Sequence, residues 1–273
     1  MNYLINQFRQ AIAAAGLTPP TEIIADGVIH RFTTNGKPTH KNGWYMLHTD
    51  GIAAGAFGDW CEGFTQNWCS TEDTSMTEPE RFAHRERIKA MQHQRDDGLA
   101  QRQQLGAADA LKRWTVAALC TQHDYLLRKG IQSHGARIEG DKLLLPMRTT
   151  DGKLHSLQTI TPDGTKMFMS GGRVKDCFFA IGTPNGVLIV CEGFATGASI
   201  HECTGHAVAI AFNAGNLEAV AVALRSKYPD LKIIIAADDD HQTPGNPGMT
   251  KATAAAKAVS GAVAIPIFEE KPA

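Results

Sequence analysis

From Gly186 onward the chain alternates two textures, and that alternation limits its fold more than any other feature. Short apolar runs at Val187 to Cys191, Ala207 to Phe212, Lys232 to Ala237 and Ala262 to Phe268 take turns with Ala-rich segments at Ala195 to Thr204, Leu217 to Tyr228 and Met249 to Ser260. Apolar runs of strand length without in/out alternation suit strands covered on both faces, and strands joined through helices run parallel. The expected unit is α/β: a βαβαβαβ run giving a four-stranded parallel sheet with flanking helices.

Ligands of open parallel sheets gather outside the carboxyl ends of the strands, so acids there carry weight. The first apolar run stops at Glu192-Gly193 and the third at Asp238-Asp239-Asp240. Side chains alternate along extended backbone, so Asp238 and Asp240 point to one side and can share a cation. Magnesium or manganese suits such a rim, because a hard divalent ion takes a few carboxylates and keeps other positions for water and phosphates. Gly193 would let a phosphate or a backbone come close. Taken singly these motifs are ordinary: Glu-Gly is common after strands, and Asp triplets often cap helices or fill turns. Their order adds meaning, with a Gly-containing loop (Gly245, Asn246, Gly248) opening the helix after the aspartates.

Val190-Cys191-Glu192-Gly193 and Asp238-Asp239-Asp240 resemble the two motifs of the Toprim domain shared by primases, topoisomerases and some nucleases. The resemblance implies metal held by the aspartates, with the glutamate in the metal site or acting as general acid/base. Upstream, Tyr125-Leu126 with Arg128-Lys129-Gly130 and Leu143 to Arg148 look like segments of bacterial replicative primases, as does Thr165-Lys166-Met167-Phe168. Cys191 to Gly197 and Ala214 to Leu217 are similar to stretches of plasmid- and phage-encoded primases. The implied activity is primer synthesis on a single-stranded DNA template from nucleoside triphosphates, catalysed by Glu192, Asp238 and Asp240. Arg128, Lys129, Arg148, Lys166, Arg173 and Lys251 are the candidates for holding the triphosphate and the strands, since that chemistry concentrates negative charge. The rival readings are a Toprim-type nuclease and a catalytically silent nucleic-acid-binding protein. The four tyrosines sit in no recognisable setting for a topoisomerase nucleophile.

Four regions are expected: a small mixed β domain at 1–75, a helical connector at 76–120, a primase-core platform at 121–184 and the Toprim domain at 185–273. In the platform, alternating runs at Lys142 to Arg148, Leu154 to Ile160 and Lys166 to Met169 are separated by the turn dipeptides Asp151-Gly152 and Asp163-Gly164. The connector opens on a Thr77/Glu80 capping box, with a break expected near Gly98 or Gly106. Between Arg81 and Arg113 it holds eight Lys/Arg against four Asp/Glu, a surplus that suits either a phosphate track or a solvated face.

Net charge is close to zero, at 27 basic and 28 acidic residues, so any nucleic-acid surface must come from local clustering. Six cysteines at scattered spacings, no strong basic leader and no span-length apolar run point to a soluble cytoplasmic protein away from membranes. Replicative primases open with a zinc ribbon, but this chain lacks the close Cys/His pairs such a site needs, so zinc is not expected from Cys61, Cys69, His40 and His48. Trp44, Trp60 and Trp68 are then either base-stacking platforms of a metal-free relic or the core of a small domain. The sequence stops a few residues after the last predicted strand, so a replicative helicase is expected as a separate partner.

Overall fold

The computed structural model describes residues 2–34, 41–49, 52–59, 64–71, 77–238 and 246–266, and the chain divides into two units, Met1–Arg95 and Asp96–Ala273. In the first, helix α1 (Asn2–Ala14) buries Phe8 and Ile12, the helically spaced pair, against an antiparallel sheet. Its strands β1 (His30–Phe32), β2 (Gly43–His48), β3 (Ala54–Asp59) and β4 (Phe64–Cys69) lie in chain order. Phe8 sits edge-on to Tyr45, Phe57 and Trp68, which makes it the hub of this small core. β3 approaches β4 so closely that a Cβ on Gly58 would lie 2.0 Å from the Phe64 carbonyl oxygen. The base-stacking reading fails at Trp44, which is only 2 % exposed and has the Arg95 guanidinium over its ring. Trp68 is half-buried against Phe8, while Trp60, Cys61 and His40 lie outside the described residues.

Helix α2 (Glu78–Val116) runs through the division between the units without the break expected at Gly98 or Gly106. Each glycine costs an exposed helix about 1 kcal/mol, too little against a run rich in Arg, Lys, Gln, Glu, Ala and Leu. Gly106 has a packing role instead: a Cβ there would come within 2.7 Å of the Gly171 carbonyl oxygen. At its last turn Arg113 grips Glu139 with two bonds of 3.0 and 2.5 Å, and this holds the Glu139 carboxyl below the usual carboxylate range.

Among its described residues the second unit contains two five-stranded sheets. The first is the expected antiparallel platform, β5 (Ala118–Leu119), β6 (Arg137–Glu139), β7 (Lys142–Arg148), β8 (Leu154–Ile160) and β9 (Lys166–Phe168), in chain order. Gly152 and Gly164 occupy the left-handed region at the two Asp-Gly turns, as such turns require. Helix α3 (Asp124–Lys129) packs Tyr125 and Leu126 beneath this sheet's core. The second sheet has the order β10-β12-β11-β13-β14, with β10 (Phe179–Ile181), β11 (Val187–Cys191), β12 (Ala207–Ile210), β13 (Lys232–Ala236) and β14 (Ala262–Ala264). The four parallel strands are those expected, but the sheet is not four-stranded: β10 joins its edge antiparallel to β12. Three residues are too short a run to carry a periodicity, so β10 left no trace in the sequence pattern.

Helix α4 (Phe194–Thr204) covers one face of this sheet and shares a core with Leu143, Leu145, Met147 and Ile160 of the platform. Helices α5 (Leu217–Lys227) and α6 (Pro247–Ala258) cover the other. The fit of α4 is tight at Gly197, where a Cβ would lie 2.6 Å from Ile210 Cγ1 and 3.0 Å from Cys191 Sγ. Gly197→Val should therefore destabilise the fold by about 2–3 kcal/mol through overpacking. Urea unfolding reads this directly, and an unchanged midpoint would contradict the packing described.

Candidate active site

The site begins with strand order. Cys191 pairs in register with Ile210 of β12 on one side and Ala236 of β13 on the other, so β11 occupies the middle of the sheet. Glu192 follows β11 and Asp238 follows β13, which places the two acids at the carboxyl ends of adjacent parallel strands. Backbone bonds from Ala211 N–H to the Cys191 carbonyl (2.8 Å) and from Ala237 N–H to the Ala264 carbonyl (2.9 Å) extend the sheet to this rim. Both acids are half-buried. Asp240 lies outside the described residues, and among those that are described no group of three metal-ligating side chains gathers.

The Cys191 thiol reports the local electrostatics. Burial pushes its pKa up, the negative charges of Asp238 and Glu192 push it further, and Lys166 opposes them. Two carboxylates and one ammonium thus act on a single buried atom. Lys166 reaches this place because β9 crosses over the strand ends: Phe168 packs edge-on to Phe212, just after β12, with ring centroids 6.3 Å apart. The Lys166 Nζ lies 3.8 Å from the point a Cβ on Gly193 would occupy, within van der Waals contact of it.

Gly193 also caps α4, without a side chain to satisfy the helix's first amides. The Ala195 amide in this first turn acts on the buried hydroxyl of Tyr125: burial raises the tyrosine pKa and the amide opposes the rise. Arg128, one turn along α3, lies over the turn that leads into β9, its Nη2 3.1 Å from where a Cβ on Gly164 would stand. α3 therefore braces both the start of α4, next to Glu192, and the base of the strand carrying Lys166. Tyr125→Phe keeps the ring and removes the hydroxyl beside that amide. It should cost about 1 kcal/mol in urea unfolding, while unaltered stability would show that the hydroxyl adds nothing to this packing.

The remaining basic candidates are dispersed. Lys129 is exposed in the last turn of α3, and Lys251 is exposed on α6, which Asn246 caps by accepting from Met249 N–H. Arg173 pairs with Asp176 and donates to the Lys175 carbonyl. Arg148 turns to the Gly152 carbonyl (2.8 Å) and to the indole of Trp114 rather than to the acids. The sequence reading missed the structural role of Asn216 within Ala214 to Leu217. Its buried amide donates to the Cys177 and Ala211 carbonyls and accepts from Asp176 N–H, tying the segment before β10 to the end of β12.

Residues 187–271 match the model of the Toprim domain. Two curated relatives, both named DNA primase TraC and both from Escherichia coli, are 36 % and 35 % identical over 96 % of this chain. The chain spans only 26 % and 19 % of their respective lengths. Among solved structures, the primase fragment of the bacteriophage T7 primase-helicase protein overlays with a TM-score of 0.41 at 17 % identity, covering 52 % of this chain and 64 % of that one.

Proposed function

We propose that this chain, which carries a Toprim domain at residues 187–271, is the catalytic region of a DNA primase that makes short primers on single-stranded DNA from nucleoside triphosphates. The observation that carries this reading is the meeting of Glu192, Asp238 and Lys166 at the carboxyl rim of one sheet. Carboxylates are hard oxygen donors, and their half-exposed position leaves room for phosphate oxygens, so the residues fit a divalent cation such as magnesium or manganese. When bound, the cation would polarise the α-phosphate and lower the cost of ionising the attacking 3′ hydroxyl. Glu192, Asp238 and Asp240 would hold it, with zinc unsuited to such an all-carboxylate set.

Lys166, on the other side of Gly193, would neutralise the charge that grows on the pyrophosphate as it departs. Arg128, on α3, lies against the turn that leads into the Lys166 strand, and Tyr125 of the same helix packs in one core with the start of α4. Lys129 and Lys251, both exposed, would contact the backbone of the template or primer. The platform at 121–184 then serves as the primase-specific part that brings Lys166 to a rim common to Toprim domains. Among the described residues no helix is long and apolar enough to cross a membrane.

One assay tests the proposal: the protein is incubated with single-stranded template, ribonucleotides and magnesium or manganese, and the products are resolved by length. Short new oligomers are the expected result. Cut template without synthesis would make it a nuclease, and template binding with neither would make it a silent binder; both outcomes overturn the reading.

A further inference from the structure

We propose that the second unit holds a further nucleotide site, outside the catalytic rim, that takes one free nucleoside triphosphate. Its place is a groove of about 630 Å³ beside the edge strand β10. The groove runs past Leu188 and Ala207, at the amino ends of β11 and β12, whereas the acids occupy the carboxyl ends of β11 and β13. Its chemistry has two parts. Trp114, Phe178 and Tyr228 supply planar apolar walls. Arg148 and Lys227 supply positive charge in the lining, and Arg137 lies over the same indole as Arg148, 4.6 Å from the ring centroid.

Backbone carbonyls, and not carboxylates, answer these cations. Arg137 donates to the Trp114 carbonyl, Arg148 to the Gly152 carbonyl and Lys227 to the Thr150 carbonyl, and among the described residues none of the three pairs with a carboxylate. Asp151, the acid in the lining, is already engaged by Thr149 and by the N–H of Lys153. Two guanidinium groups around one indole raise each other's cost of burial, and the Arg148 pKa is lowered by burial and by Arg137. A polyphosphate beside these groups would relieve that cost.

The base would be met by the β10 backbone. Phe178 exchanges both backbone bonds with Arg148, and two residues further along the same edge Ala180 lines the groove with its small, exposed side chain. An edge strand offers donors and acceptors in the plane of its sheet, suited to the edge of a planar heterocycle. The volume is that of a site for one small molecule, not for a strand of nucleic acid.

The test separates this site from the rim by removing divalent metal. With EDTA present, calorimetric titration of the intact protein with ATP or GTP should give saturable binding of one nucleotide per chain. Lys227→Glu, which reverses an exposed charge, and Ala180→Trp, which fills the groove from an exposed position, should each weaken it at least tenfold. Asp238→Asn should leave it unchanged, which keeps a failure here distinct from a failure of the primase reading. The proposal is overturned if no saturable binding occurs without metal, if either groove variant binds like the parent, or if Asp238→Asn abolishes binding. Tripolyphosphate competing as well as the nucleotide, or oligothymidylate competing better, would also overturn it, because the groove would then read no base or serve a polymer.

Discussion

Asp238→Asn is expected to reduce primer synthesis by about a thousand-fold or more while leaving the protein folded. The substitution keeps size and one oxygen but removes the charge that would bind the cation. Loss of several kcal/mol of transition-state stabilisation corresponds to three or more powers of ten in rate. Folding should be indifferent, because Asp238 lies after the last residue of β13, half-buried and outside the packed core. It could even gain, since Asp238 and Glu192 bring like charge to the same end of the sheet, where both raise the pKa of Cys191. Two measurements are needed together. Product formation gives the rate, and thermal unfolding with and without manganese gives the metal linkage: the parent should melt higher with the ion, and the variant should show little or no shift. Glu192→Gln should behave alike. A variant that primes at the parental rate would remove the rim from the chemistry.

The parts that sequence made legible are those where one physical rule acts alone. Buried parallel strands must be apolar throughout, so β11, β12 and β13 could be placed nearly to the residue, and the rule that ligands gather at carboxyl ends singled out Glu192 and Asp238. The Asp-Gly turns were equally plain, because few residues accept their left-handed backbone. Legibility failed where the deciding partner was remote. Gly106 read as a helix breaker, yet it marks the place where α2 touches the Gly171 backbone, a contact no local pattern encodes. Trp44 was open to both readings, platform and core, and only the sheet around it decides for core. Tyr125 belonged to a motif, but its packing partners lie about seventy residues away at the start of α4.

The basic residues show the same limit most sharply, and they lead to the other large effect. Six of them stood on equal terms in the sequence, because a positive charge has no periodicity and no partner until the chain is folded. Folding ranks them. Arg173 is spoken for by Asp176, Arg148 faces a separate groove, and Lys166 alone comes within reach of Gly193 and acts on the same buried thiol as the two acids. Lys166→Ala should therefore lower kcat/KM for the incoming nucleotide by about a hundred-fold, the usual scale for removing one group that meets developing charge. Arg173→Ala should change it less than threefold, because that guanidinium already answers a carboxylate. The defect should lie mainly in kcat if the ammonium meets charge that grows on the departing pyrophosphate, and in KM if it merely holds the triphosphate in the ground state. Lys166→Arg should recover only part of the loss, since a broad planar fork cannot sit over Gly193 as a compact ammonium does. Steady-state synthesis at saturating template measures all three variants. Equal defects in Lys166→Ala and Arg173→Ala would show that the rim is served by a diffuse positive field rather than by one placed side chain.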